Sequence, residues 1–281
     1  MLDQQYLEEE EPKEMSFVDH LEELRWHIIR ALGSIFVFAI IAFLAKGFVF
    51  HDIILAPSRT DFLSYRVMCQ VGQYFGSDTL CFDDLGFTIQ SRQMSGQFTM
   101  HLMVSAVLGL ACAFPYAFWE IWRFVRPGLY PQERKNSQGA VFFVSILFLM
   151  GLLFGYYVVS PISINFLAGY QVDPSILNEF DLSSYISTLT TLCLACAIMF
   201  ELPVIVFFLT KAGLITPETL KLYRRHSIVV ILVVAAIITP PDVVSQTLIA
   251  LPLMLLYEVS IHISKSIRKK DLKRLNEQNE L

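Results

Sequence analysis

The acids of this chain occur in two unlike settings, and each suggests a chemistry. Glu201, in Phe200-Glu201-Leu202-Pro203, interrupts the apolar run 186–209, and Glu258 lies inside the run 243–263. Asp242 follows Pro240-Pro241, with Thr239 before it and Gln246 a few residues on. Hydrocarbon offers no hydrogen bonds, so an ionisable group there is neutralised, partnered within the protein or kept for function. Glu201, well inside its run, reads as functional; Glu258, near the end of its run, reads as a group with a local partner. The second setting is polar: Asp19, Glu22 and Glu23 with Arg25 in Phe17-Val-Asp-His-Leu-Glu-Glu-Leu-Arg25, and Glu133 in Pro131-Gln-Glu-Arg134. A carboxylate meets a guanidinium with two parallel hydrogen bonds, so such acids suit a cationic partner. By residue pattern alone the plainer reading is a solvated helix face with local pairs, such as Glu22 or Glu23 with Arg25 or Arg30.

Other chemistries find no support. The six histidines (His20, His27, His51, His101, His226, His262) are scattered, with no His-Glu-x-x-His, and there is no Gly-x-Ser-x-Gly or paired aspartate motif. No enzyme activity, metal or cofactor is expected. Cys193-Leu-Ala-Cys196 has redox spacing, but within an apolar helix it reads as two small packing residues. Cys69 and Cys81 lie in a polar stretch, where an oxidising compartment permits a bridge; bridged and free thiols stand equally open.

The elements that position these groups are membrane-spanning helices. Hydrophobic residues make up 54% of the chain, charged ones 17%, and mean hydropathy is +0.53, far from a soluble domain of this length. Residues 136–210 hold no Lys or Arg, and neither do residues 226–264, although the chain carries 21. One span takes about 20 residues, so each cation-free stretch holds two spans and a turn. Six apolar segments follow: 28–50, 98–118, 140–161, 186–209, 227–239 and 243–263. Seventeen of the 21 cations fall on one side, and the positive-inside rule makes that side cytoplasmic. The expected fold is an all-α polytopic bundle of six helices, both termini cytoplasmic, with a long outer loop after the first. It forms one membrane domain, 1–264, with an acidic solvated tail at 1–14 and a basic, polar tail at 265–281. The acidic start argues against a cleavable signal, so the first span is expected to act as its own insertion signal. Segment 227–239 is short for a bilayer: either its helix starts earlier with Arg224 and Arg225 snorkelling, or the bilayer thins there, or it is only a short helix tucked inside the bundle. Leu21, Leu24 and Ile28 recur at helical spacing, making the acidic stretch before the first span an amphipathic helix.

At this point particular motifs become informative. His20-Leu-Glu-Glu-Leu-Arg25 resembles the opening motif of the TatC family, the core subunit of the twin-arginine protein translocase. Phe114-Pro-Tyr-Ala-Phe-Trp-Glu-Ile-Trp122 with Arg126-Pro-Gly-Leu-Tyr-Pro-Gln-Glu-Arg134 is similar to the family too, as is Gly155-Tyr-Tyr-Val-Val-Ser-Pro161. So are Phe200-Glu-Leu-Pro203, Thr239-Pro-Pro-Asp-Val-Val-Ser-Gln-Thr247 and Leu251-Pro252, all in the family's order. Leu55-Ala-Pro57 fits as well, while the rest of the loop 52–97 is longer and more polar than usual for the family. The resemblance implies a receptor and scaffold in the bacterial inner membrane. Such a protein binds twin-arginine signal peptides of folded cargo and gathers TatA- and TatB-type single-span partners for export driven by the proton-motive force. It implies assembly into a larger complex containing further copies of the chain, and no nucleic acid. It places signal recognition on Glu23, Arg25 and Glu133, and polar contacts to partner helices on Glu201, Thr239 and Gln246. It marks Pro57, Pro115, Tyr156, Pro203 and Asp242 as positions that hold the fold. The alternative is a proton- or ion-coupled transporter using Glu201 and Asp242, against which stands the lack of an inverted repeat.

Overall fold

The computed structural model describes residues 17–76, 81, 85–125, 139–173, 175–176, 178–239 and 243–279. Among these, five helical stretches are long and apolar enough to cross a bilayer: Glu22–Leu44, Gly96–Val125, Ala140–Gly169, Leu182–Lys211 and Gln246–Lys270. The first lies in α1 (Phe17–Leu44), whose amphipathic start runs without a break into the span. After it come a short helix α2 (Leu63–Tyr74), the span α3 (Gly96–Val125), and a third span built from α4 (Ala140–Phe154), the π-helical turn Gly155–Val159 and α5 (Ser160–Gly169). The fourth is α6 (Leu182–Met199) followed by α7 (Leu202–Lys211), broken at Glu201 with Pro203 in the first turn beyond. A short helix α8 (Pro217–Leu222) leads to α9 (Arg224–Ile238), and α10 (Val243–Asn279) closes the chain.

Two expectations meet the structure here. The expected fifth span is α9, with 15 residues. At 1.5 Å per residue it is ~22 Å long, short of a ~30 Å bilayer core even with Arg224 inside it. The tail from 265, expected as a separate polar segment, instead continues α10 as helix through Asn279. Its Lys, Arg, Leu, Glu and Gln residues are strong helix formers, and a helix already nucleated in the membrane extends at little cost.

Small residues set the packing. α1 and α3 run antiparallel and close together: a Cβ on Gly109 would lie 2.7 Å from both Ala39 Cβ and the Ile35 carbonyl oxygen. Gly151 and Gly155 press in the same way against Cys196, Ala197 and Cys193, so the Cys-Leu-Ala-Cys pair packs spans three and four. α10 is held to its neighbours by polar contacts as well as by core packing around Ile249 and Leu253. Thr210 Oγ1 donates to Ser264 Oγ at 2.9 Å, Tyr257 donates to the Leu220 carbonyl at 2.7 Å, and Arg224 Nε pairs with Glu258 at 2.5 Å. Glu258 thus has the local partner expected of it.

One end of the bundle carries the cations of residues 25–30, 123, 211–225 and 265–270; we call it the basic end. The other carries a cap. There the chain leaves regular helix from Val49 to Ser58, freeing carbonyls that lipid cannot satisfy. Three buried or half-buried tyrosines take them up: Tyr156 donates to Ile53, Tyr185 to Ile54, and Tyr65 lies 3.1 Å from both the Pro57 and Pro161 carbonyl oxygens. Two short strands, β1 (Thr88–Gln90) and β2 (Glu179–Asp181), pair in parallel across the cap. Asp181 caps α6 by accepting from the Ser183 N–H, and Arg92 pairs with Glu179 at 3.3 Å. Cys69 and Cys81, left open by the sequence, are joined in a disulfide.

Candidate functional site

Among the described residues two carboxylates have buried oxygens within the membrane-crossing helices, Glu120 and Glu201, and polar side chains gather around the first. Glu120, near the basic end of α3, is 1% exposed. His27 Nδ1 of α1 lies 2.6 Å from its Oε2, and Arg30 reaches the same oxygen at 3.4 Å. Arg123, one turn along α3, lies 3.7 Å from Oε1, and the Tyr116 hydroxyl donates to the carboxylate from the preceding turn. Arg123 also stacks over the Trp119 ring at 5.0 Å. These groups meet because α1 and α3 are antiparallel, so the close approach at Gly109 brings residue 27 opposite residue 120.

Of the residues expected to recognise a cationic signal, Glu23 lies beside this cluster. Its carboxylate is 39% exposed, and its one contact among the described residues is His27 Nε2 at 3.9 Å, too long for a hydrogen bond. His27 therefore stands between two acids, hydrogen-bonded to Glu120 and facing Glu23. Arg25 is exposed, about 200° around the helix from Glu23, and forms no ion pair among the described residues. The local pairs of Glu22 or Glu23 with Arg25 or Arg30 do not form among the described residues; Arg30 turns to Glu120 instead. Glu133 lies outside the described residues. Sequence reasoning missed His27 and Glu120 as a unit. The signal was present: an acid in an aromatic run, with Tyr116 four residues before it and Arg123 three after, on one helix face.

Glu201 lies at the break between α6 and α7, beside the backbone of Phe148. Both carboxyl oxygens are buried, and neither has a hydrogen-bond partner among the described residues. Thr239, at the far end of α9, is buried and donates to the Ala235 carbonyl of its own helix at 2.9 Å. Gln246 donates to the Leu232 carbonyl at 3.1 Å, tying the start of α10 to α9. No hydrogen bond joins Glu201 to either, and Asp242 lies outside the described residues. Beside the break, Ile198, Met199 and Leu202 face Val230, Ile231 and Val234 across an apolar cavity of about 460 Å³. The remaining marked positions are distributed over the cap and the helices. Pro57 is buried in the cap, Tyr156 satisfies a freed carbonyl there, Pro115 interrupts the hydrogen-bond ladder of α3, and Pro203 opens α7.

Five helices long and apolar enough to cross a bilayer among the described residues, with the irregular backbone of the cap met by tyrosine hydroxyls, define a multi-pass membrane protein. The profile of the Sec-independent protein translocase protein (TatC) family matches residues 19–252, and the chain belongs to this family. The Sec-independent protein translocase protein TatC of Blattabacterium sp. subsp. Periplaneta americana is 38% identical over 262 residues, 92% of this chain and 98% of that protein. That of Helicobacter pylori strain J99 is 49% identical over 164 residues, 58% of this chain and 66% of the relative. A crystal structure of the twin-arginine translocase receptor TatC in DDM superposes with a TM-score of 0.69 at 30% identity, covering 87% of this chain and 99% of that one. The chain is accordingly a protein-transport component of the Tat pathway and not an enzyme.

Proposed function

We propose that the chain is the signal receptor and partner-gathering subunit of a twin-arginine translocase. In this reading the basic end is cytoplasmic, α9 completes a set of six crossings, both termini lie inside, and the host membrane is the bacterial inner membrane. The observation that carries the reading is the contrast at the mouth of α1. Glu120 is occupied by cations of its own chain, while Glu23 beside it is half-exposed and lacks a hydrogen-bonded partner among the described residues. A half-exposed carboxylate without a hydrogen-bonded partner among the described residues is what an incoming guanidinium would find. Glu23 and Glu133 each accept one arginine of the signal, and Arg25 on the other side of the helix contacts its backbone or polar side chains. Glu201, Thr239 and Gln246 supply the polar contacts along the spans for TatA- and TatB-type helices, beside the apolar cavity that flanks the helix break. Several copies of the chain assemble with these partners, and the proton-motive force drives folded cargo across.

The test is titration of the purified chain with a twin-arginine peptide. A charge-assisted hydrogen bond contributes about 1.5–3 kcal/mol, so Glu23→Ala and Glu133→Ala should each weaken binding roughly tenfold to hundredfold. Glu22→Ala, about 100° around the helix from Glu23, should leave it within twofold or so. A peptide with both arginines replaced by lysine should bind the parent chain as poorly as the variants do, since lysine lacks the planar fork. Unchanged affinity in Glu23→Ala and Glu133→Ala would overturn the site.

A further inference from the structure

The cap contains a helix that its own fold does not cover. α2 (Leu63–Tyr74) divides into three sectors at 100° per residue. Tyr65, Met68 and Gly72 face the protein: Tyr65 and Gly72 are buried, and Met68 packs on the Phe62–Tyr65–Leu85 cluster. Arg66, Gln70 and Gln73 form an exposed polar sector, adjoining Cys69 and its disulfide. Between them Leu63, Val67 and Val71 are 52%, 48% and 45% exposed, and Tyr74 and Phe75 extend the same stripe at the helix end. A soluble loop gains nothing by turning a continuous apolar stripe outward.

The position of α2 says what covers it. Ser64 Oγ donates to the Tyr157 carbonyl of the third span, and the Phe62 ring stacks on that of Tyr157 at 5.5 Å. Tyr157 is about 17 residues along from Ala140 at the basic end, or ~25 Å at helical rise, against a hydrocarbon core of ~30 Å. α2 thus sits at the depth where hydrocarbon gives way to headgroups. On the third span, Leu149, Met150 and Leu153 are exposed along the face leading up to Tyr157, so the stripe continues a surface that already lies against lipid. Tyr74 is of a residue type that favours this boundary.

We propose that α2 is an interfacial helix, lying on the cap-side leaflet with Leu63, Val67, Val71 and Phe75 in the acyl-chain boundary and Arg66, Gln70 and Gln73 towards water. The occupant of the stripe is the lipid surface, which makes the cap a membrane-resting element instead of a free loop. This rests on the membrane-spanning fold alone and stands or falls independently of the signal site.

The test uses the full-length chain in lipid nanodiscs. Val67→Trp and Val71→Trp place a reporter in the apolar sector, and Gln70→Trp places one in the polar sector. Emission is measured as the increment over the parent's three tryptophans. Phospholipids brominated high on the acyl chain should quench the increments of Val67→Trp and Val71→Trp at least twofold more than that of Gln70→Trp, and aqueous iodide should show the reverse order. Equal quenching of all three by iodide, with no bromine effect, would overturn the proposal by placing the stripe in water. Shielding of positions 67 and 71 from both quenchers would overturn it equally, because a protein surface would then cover the stripe. Agreement between two reporters one turn apart guards against a local distortion by either substitution.

Discussion

Glu120 and Glu201 are both carboxylates buried in membrane-crossing helices, and their surroundings are opposite. Around Glu120 the chain supplies His27, Arg30, Arg123 and Tyr116, so that both oxygens are engaged. Around Glu201 it supplies no hydrogen-bond partner among the described residues, although both oxygens are buried. A satisfied buried acid joins the helices that satisfy it, here α1 and α3 at the basic end. An unsatisfied one weakens its own fold, by about 1–3 kcal/mol for a buried group without a hydrogen bond. On the proposed reading the two sites separate stability from function: Glu120 ties the start of α1 to α3, and Glu201 serves a partner outside the chain.

The sharpest way to break this comparison is at Glu201. Glu201→Leu should abolish co-purification of TatA- and TatB-type partners and cargo export, while the isolated chain unfolds in detergent at the same or higher temperature. Glu201→Gln, which still offers hydrogen bonds, should retain most of both activities. Lower stability in Glu201→Leu with partners still bound would make the residue a structural one. Glu120 should behave in the opposite way. Glu120→Ala leaves His27, Arg30 and Arg123 without their acid and should destabilise the isolated chain. Removing one member of a deeply buried pair costs about 3–5 kcal/mol, but Glu120 sits at the rim under a cover made largely of its own partners, so about 1–3 kcal/mol is expected. Glu120→Gln should cost less than half of that, read by denaturant or thermal unfolding in the same detergent.

The smallest expected effect lies at Asp181, a satisfied acid like Glu120 but half-exposed on the cap. Hydrogen bonds from the Ser183 hydroxyl and N–H, and then from the Arg92 N–H, hold its carboxyl below the ordinary aspartate range. Its contribution to the cap is therefore present above the unfolded aspartate value and lost as pH falls through the lower folded one. Amide exchange in residues 182–186 should be flat from pH 7 to about 5, after correction for the intrinsic rate, and should accelerate below about pH 4. Asp181→Asn should remove most of that acceleration. If the variant shows the same profile as the parent, the capping contact is not what holds the start of α6.

Much of this protein was readable from residue order, because lipid imposes simple rules on a chain. The cation-free stretches 136–210 and 226–264 marked the membrane segments, since a charged group inside hydrocarbon is too costly to scatter at random. For the same reason Glu201 stood out as a lone acid in an apolar run. The unusual brevity of 227–239 was visible too, and α9 remains short even after gaining a turn at Arg224. Other features depended on neighbours distant in the chain. His27 and Glu120 are 93 positions apart, and they form a site only because Gly109 lets α1 and α3 close to backbone contact. Whether Cys69 and Cys81 met depended on how α2 turned back, which no spacing rule specifies. The uncovered stripe of α2 required knowing which of its faces the cap had used. Burial in the membrane is a property of a segment's own composition, so the sequence by itself determined it. Pairing is a property of two segments brought together, and only the tertiary structure decided which buried acid would be satisfied and which would not.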